Sequence, residues 1–252
     1  MAGRAAPWRT AWITGGSSGL GRELALRLAR EGVRVAVSAR SGERLSELTS
    51  GQSNLLAVPL DVTDRTAVSE AHRRIVAEFG SLDLAVLNAG VWHPMKATDY
   101  DADRAVQSMA VNYFGIVNAL DVLIPAMTSA GRGHIGLVAS VAGYRGLPMA
   151  AAYAPSKAAV ISLAEVLRPE LAPRGIVVSL VNPGFVETPM TSVNAFPMPF
   201  ILKADDAADR IYDGLVRGRF EIAFPWQLVA MMKVLRILPN ALFLRIAGRM
   251  AA

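Results

Sequence analysis

The sequence contains no cysteine and only three histidines, His72, His93 and His134, in 252 residues. The first absence excludes disulfide frameworks, thiolate nucleophiles, zinc-thiolate sites and iron–sulfur clusters, and is compatible with a reducing cytoplasm. The second leaves little from which to build a metal centre, so none is expected. No run of about 18 uncharged apolar residues is present and the N-terminus lacks an apolar signal core, so neither a spanning helix nor a cleaved signal is expected. Linkers, low-complexity blocks and internal repeats are also missing. At about 150 residues per domain, one large or two small domains are allowed, and these absences favour a single domain over 1–252.

Acidic residues are lacking at both ends. Residues 1–22 carry Arg4, Arg9 and Arg22 with no acid, and residues 222–252 carry Lys233, Arg236, Arg245 and Arg249 with none. The formal charge of +5 therefore belongs to the termini, and the remainder nets −2. No basic helix or aromatic-interleaved stripe accompanies it, so no nucleic-acid partner is expected. With 52% hydrophobic and 19% charged residues the chain is globular,.

Short β-rich runs alternate with helical patterns. Strands are predicted at Ala11–Thr14, Val33–Ser38, Leu55–Leu60, Leu82–Asn88, His134–Ser140, Ile176–Asn182 and Phe220–Phe224. Helices are predicted at Gly19–Glu31, Asp64–Phe79, Asp101–Thr128, Ala152–Leu171 and Asp205–Val216. The middle strands are nearly continuous in Val, Ile, Leu and Ala, as strands covered on both faces must be. The expected fold class is α/β, a Rossmann-like doubly wound parallel sheet of about seven strands. Residues 184–202, with Pro189, Pro197 and Pro199, are too long for an ordinary connection and read as a mobile substrate lid.

The first strand runs into Thr14-Gly15-Gly16-Ser17-Ser18-Gly19-Leu20-Gly21 and then a helix. Glycines there permit a tight turn, and the helix N-terminus favours a pyrophosphate. With Asn88-Ala89-Gly90 after the fourth strand, Tyr153-Ala154-Pro155-Ser156-Lys157, and Pro183-Gly184 after the sixth, this spacing resembles the short-chain dehydrogenase/reductase family over about residues 10–190. The ordered set is more specific than any one member.

Cofactor choice turns on the end of the second strand, where an acid would bind the ribose 2′-hydroxyl and repel a 2′-phosphate. Ser38-Ala39-Arg40 has no acid, and Arg40 can pair with phosphate. NADP(H) is therefore expected, with NAD(H) the alternative and an ordinary solvated Arg40 the bland reading. The resemblance adds Asp61 and Val62 as an adenine-contacting pair, although an Asp closing a strand also suits a helix cap. It further implies cofactor contacts at Asn88, Ala89, Gly90, Pro183, Gly184, Val186 and Thr188.

Tyr153 and Lys157, four apart, share one helix face. A nearby ammonium lowers a phenol's pKa, which suits an acid–base pair for carbonyl/alcohol redox; an amphipathic helix with a snorkelling lysine gives the same spacing. Ser140, expected to end the fifth strand at the carboxyl edge of the sheet, can donate to an oxyanion. The resemblance gives Ser140 that role, gives Lys157 the nicotinamide ribose, and makes Asn112 a fourth catalytic position that bends its helix and holds a water. Pro155, unusual in the family, is tolerated if the helix starts near Ala152.

Segments 91–95 and 144–149 and the lid residues Phe185, Met190, Phe196, Met198 and Phe200 suggest a lining for a bulky apolar carbonyl or alcohol, or simply lid packing. His93 reads as a rim residue. Residues 225–252 form an apolar extension in which Lys233, Arg236 and Asn240 make a polar stripe opposite a broad apolar face. That pattern suits a membrane interface or a protein contact, and resembles tails of membrane-associated reductases of steroids, retinoids or lipids. The expectation is an NADP(H)-dependent oxidoreductase of an apolar substrate, cytoplasmic or peripheral to a membrane, and a homodimer or other homo-oligomer. The alternatives are an NAD-dependent alcohol dehydrogenase and a non-catalytic dinucleotide-binding interaction protein.

Overall fold

A computed structural model describes residues 5–251 except Ala195. Arg4, Ala195 of the expected lid and Ala252 of the tail lie outside the described residues. The strands are β1 (Thr10–Thr14), β2 (Arg34–Ser38), β3 (Leu55–Ala57), β4 (Leu84–Leu87), β5 (Gly133–Val138), β6 (Ile176–Pro183) and β7 (Glu221–Phe224). They form one parallel sheet in the order β3-β2-β1-β4-β5-β6-β7. The order reverses between β1 and β4, the switch point beyond whose carboxyl ends open α/β sheets hold ligands.

The helices are α1 (Gly19–Arg30), α2 (Gly42–Thr49), α3 (Arg65–Phe79), α4 (Ala102–Met109), α5 (Gly115–Ala130), α6 (Tyr153–Leu171), α7 (Ala204–Val216), α8 (Trp226–Ile237) and α9 (Asn240–Ala251). Apolar side chains of α3, α5 and α6, such as Ile75, Leu123 and Val160, fill one core with Trp12 and Leu137. Those of α1 and α7, such as Leu28 and Ile211, fill another with Ile13 and Val86. Each fully buried side chain of this kind stabilises the fold by about 2 kcal/mol.

Several boundaries differ from expectation, each for a local reason. Helix α2 is eight residues with only Leu45 and Leu48 buried, too little apolar pattern to stand out. The single helix expected at 101–128 is two, joined by a π turn at Ala110–Phe114, a departure from the period on which helix patterns rest. Strand β5 stops at Val138 because Ser140 is already the cap of a 3₁₀ turn, its Oγ accepting from the Ala142 N–H at 3.1 Å. The tail breaks at Leu238-Pro239, so Asn240 begins α9 rather than continuing the stripe of Lys233 and Arg236. By length and composition alone the helical stretch Ala102–Ala130 is long and apolar enough to cross a membrane, but it carries Asp103, Arg104 and Asp121. Its Ile116, Ala119, Leu123 and Met127 are packed in the core beneath the sheet.

Candidate active site

One cleft of about 420 Å³ opens at the switch point. It is lined by Gly15, Ser17, Ser18, Gly19, Leu20, Gly21, Arg40, Asp61, Val62, Asn88, Ala89, Gly90, Ser140, Tyr153, Lys157, Pro183, Gly184, Val186 and Thr188. Every catalytic or cofactor-contacting residue expected from the sequence lines this cleft except Asn112.

The floor is built by close approach. Gly15 has φ +68°, and a Cβ on it would lie 2.6 Å from the Ala89 Cα, so a side chain is excluded by both conformation and space,. Asn88 ties the two loops, its Nδ2 donating to the carbonyls of Thr14 (3.2 Å) and Gly15 (3.1 Å). Ser18 precedes α1 in extended conformation and makes no side-chain cap, which leaves N-terminal N–H groups of that helix for a ligand,. Asp61 does not cap α3; Asp64 does, accepting from Ala67 N–H at 3.0 Å. The Asp61 carboxylate instead accepts from the Thr63 N–H and hydroxyl at 2.9 and 2.8 Å, and these bonds hold its pKa down.

Helix α6 begins at Tyr153, which puts Pro155 in the first turn, where its missing N–H costs no helical bond. Lys157 is buried; its Nζ donates to the Val138 carbonyl at 2.9 Å and lies 5.5 Å from the Tyr153 ring centroid. Ser140 donates to the Pro183 carbonyl at 3.3 Å and hydrogen-bonds Tyr153. Asn112 sits beneath the cleft in the π turn, fully buried. Its Oδ1 accepts from Val91 N–H (2.7 Å), and its Nδ2 donates to the Val91 carbonyl (3.1 Å) and to Ser156 Oγ (2.9 Å). Ser156 in turn donates to the Tyr153 carbonyl at 2.7 Å.

A family model described as short chain dehydrogenase matches residues 9–196. The chain belongs to the short-chain dehydrogenase/reductase family. An uncharacterized oxidoreductase of Myxococcus xanthus is 42% identical over 250 residues, 96% of this chain and 98% of that protein. A short chain dehydrogenase of Burkholderia cenocepacia, solved with NADP, superposes with TM-score 0.83 at 30% identity, covering 94% of this chain and 97% of that one. A Burkholderia phymatum member, solved with NAD, gives 0.84 at 25% identity, covering 91% and 93%. This short-chain dehydrogenase/reductase is accordingly an oxidoreductase acting on CH–OH groups with a nicotinamide dinucleotide.

The cradle suits such a cofactor: the side-chain-free approach at Gly15, the uncapped N-terminus of α1 and the polar rim beyond β2 match its pyrophosphate and ribose. In this family member the sequence also left a residue out. Arg44, on the first turn of α2, lines the cleft beside Arg40 and Ser41. Ser41 as the cap of α2, accepting from Arg44 N–H at 3.3 Å, was the available signal,.

Two expectations are corrected. Lys157 does not pull the Tyr153 phenol down; burial pushes it up to about 12 against the opposing Ser140 hydrogen bond, and burial pushes Lys157 down to about 8. The apolar lining is only partly formed: Val91, Val111 and Met190 line the cleft, whereas Tyr144 is buried and bonded to Glu221, and Phe185 packs edge-on to Phe196 at 6.1 Å. Trp92 bridges site and lid, its ring edge-on to Tyr153 at 5.0 Å and its Nε1 donating to Asn194 at 2.8 Å.

Proposed function

We propose that this enzyme is an NADP(H)-dependent oxidoreductase interconverting a carbonyl and an alcohol on a small or medium apolar substrate. One observation carries the reading: Tyr153, Ser140 and Lys157 converge at one end of a cleft whose other end holds the Gly15–Gly21 turn, Arg40 and Arg44. The bound nicotinamide supplies hydride to the carbonyl carbon, or takes it in reverse. Tyr153, a firmly protonated phenol in this setting, hands its proton to the carbonyl oxygen. Ser140 donates to the charge developing on that oxygen, and Lys157 holds the nicotinamide ribose hydroxyls. Asn112 works from below, bracing Val91 and, through Ser156, the start of α6.

An NAD-dependent alcohol dehydrogenase of the same architecture is the second reading, favoured only by the exposure of Arg40. Apolar substrate is supported by Val91, Val111 and Met190, with Trp92 against Tyr153. The test is NADPH oxidation across a panel of ketones: turnover of bulky alicyclic and aromatic ketones over sugar ketones is expected, and the reverse preference contradicts the substrate class.

A cytoplasmic enzyme peripheral to an anionic membrane is part of the same proposal, on different grounds from those the sequence offered. Lys233 and Arg236 are not a free stripe, since they pair with Glu221 at 2.5 Å and Glu165 at 3.8 Å. The apolar Leu228 and Met232 are buried in the core. The large apolar residues outward on α8 are Trp226 (73% exposed), Met231, Val234 and Ile237 (79%), and α9 adds exposed Leu242, Leu244 and Met250 with the cations Arg245 and Arg249. The protein should sediment with phosphatidylserine-containing vesicles, and Trp226→Ser with Ile237→Ser should abolish this. A wild-type protein left in the supernatant ends the idea. A homo-oligomer is also proposed, supported by Val106, Phe114, Val117 and Val166 exposed on α4, the π turn, α5 and α6.

A further inference from the structure

The inner side of the C-terminal extension meets the back of the site through a polar knot. Glu221, the first residue of β7, is partly buried and accepts from three directions. Tyr144 Oη donates to its Oε1 at 2.5 Å, Asn182 Nδ2 to the same oxygen at 3.1 Å, and Lys233 Nζ of α8 to Oε2 at 2.5 Å. Asn182 Nδ2 also donates to Tyr144 Oη at 3.2 Å, closing the ring. Burial acts to raise the Glu221 carboxyl, and the Lys233 and Tyr144 bonds outweigh it, so its pKa lies below the usual carboxylate value.

Two of the partners stand directly behind opposite walls of the cleft. Tyr144 ends the 3₁₀ turn that Ser140 caps, and Asn182 adjoins Pro183, whose carbonyl accepts from Ser140. Two further contacts join the extension to the same two segments. Arg145 donates to Asn240 Oδ1 at 2.7 Å and lies 4.3 Å from the Phe243 ring centre. Leu228 of α8 packs so closely on Gly184 that a Cβ there would lie 2.6 Å from its Cδ2. A half-buried carboxylate is costly to desolvate, and an apolar contact would hold a helix as well. A polar knot adds direction: it fixes Tyr144 and Asn182 at set distances from a single group.

We propose that Glu221 is a positioning residue for the oxidoreductase site, coupling docking of α8–α9 to the spacing between the Ser140 turn and the Pro183-Gly184 wall. The inference rests on the catalytic reading of Ser140 given above. Loosening the knot from its α8 end should therefore slow the chemical step far more than it weakens dinucleotide binding, which also draws on the Gly15–Gly21 turn and Arg40.

The test uses the full-length enzyme with NADPH and the ketone of the panel turned over fastest, comparing Glu221→Gln, Lys233→Met, Lys233→Arg and Tyr153→Phe. A misplacement of under an ångström predicts that Glu221→Gln and Lys233→Met lower kcat roughly tenfold. The KM for NADPH should stay within about twofold by the same argument, Lys233→Arg should restore kcat, and amide hydrogen exchange in Lys233→Met should rise at residues 141–144 as well as in α8. Wild-type kcat in both variants, or kcat and NADPH KM worsening together in proportion to lost thermal stability, overturns the proposal. Turnover surviving in Tyr153→Phe would instead overturn the catalytic reading on which it rests.

Discussion

Replacing Tyr153 by Phe is expected to lower kcat for ketone reduction by roughly 10³-fold while NADPH still binds, the scale of a lost general acid. The substitution removes one oxygen and keeps the ring that packs edge-on to Trp92, so the start of α6 has no reason to move. Desolvation pushes the phenol up to about 12, so Tyr153 carries its proton across neutral pH and is available as the donor in the reductive direction. The upper limit is set elsewhere. Lys157, lowered by burial to about 8, loses its charge as pH rises through that value. Reductive kcat/KM in the wild-type enzyme should thus be level through neutrality and fall above about pH 8. Stopped assays over pH 6 to 10 with fluorescence titration of NADPH check both parts; near-normal turnover by the Phe variant rules out Tyr153 as the proton donor.

The second large effect is on cofactor selection. Arg40→Ala with Arg44→Ala should weaken NADPH about thirtyfold and leave NADH nearly unchanged, taking about 1 kcal/mol for each pair, the upper end for exposed ion pairs, because both side chains are exposed,. Only the 2′-phosphate distinguishes the two cofactors, and the rim after β2 offers it Arg40, Ser41 and Arg44 but no carboxylate at Ala39. The effect should shrink with added salt. Parallel titrations of both cofactors at two ionic strengths measure this, and an equal loss for NADH would show that the arginines support the loop rather than select the phosphate.

The residues that line the cleft could be read from the sequence because they are local and ordered: a glycine turn after β1, Asn88-Ala89-Gly90 after β4, and two side chains one helical turn apart. What escaped is instead decided by distant partners or by burial. Glu221 is 77 residues from Tyr144 and lies in an unremarkable strand, so nothing in its neighbourhood marks it. Tyr144 looks like pocket lining until its hydroxyl partner is known. Arg44 was hidden in a helix with a single apolar pair. The Asn112 π turn breaks the 3.6-residue period that made 101–128 read as one helix. The rise of the Tyr153 pKa needs the burial of a folded site, because spacing alone puts only the ammonium beside it. The tail misled for a related reason: its apolar residues were counted on one continuous helix, whereas Pro239 splits it and the core takes Leu228 and Met232.

In the proposed reaction, hydride passes directly between the nicotinamide and a carbonyl carbon on this protein. Incubation with NADPH deuterated at the transferable C4 position and the best apolar ketone of the panel should give an alcohol carrying one deuterium on its carbinol carbon, in one configuration only. Alcohol without deuterium at that carbon, or racemic label, would contradict the account.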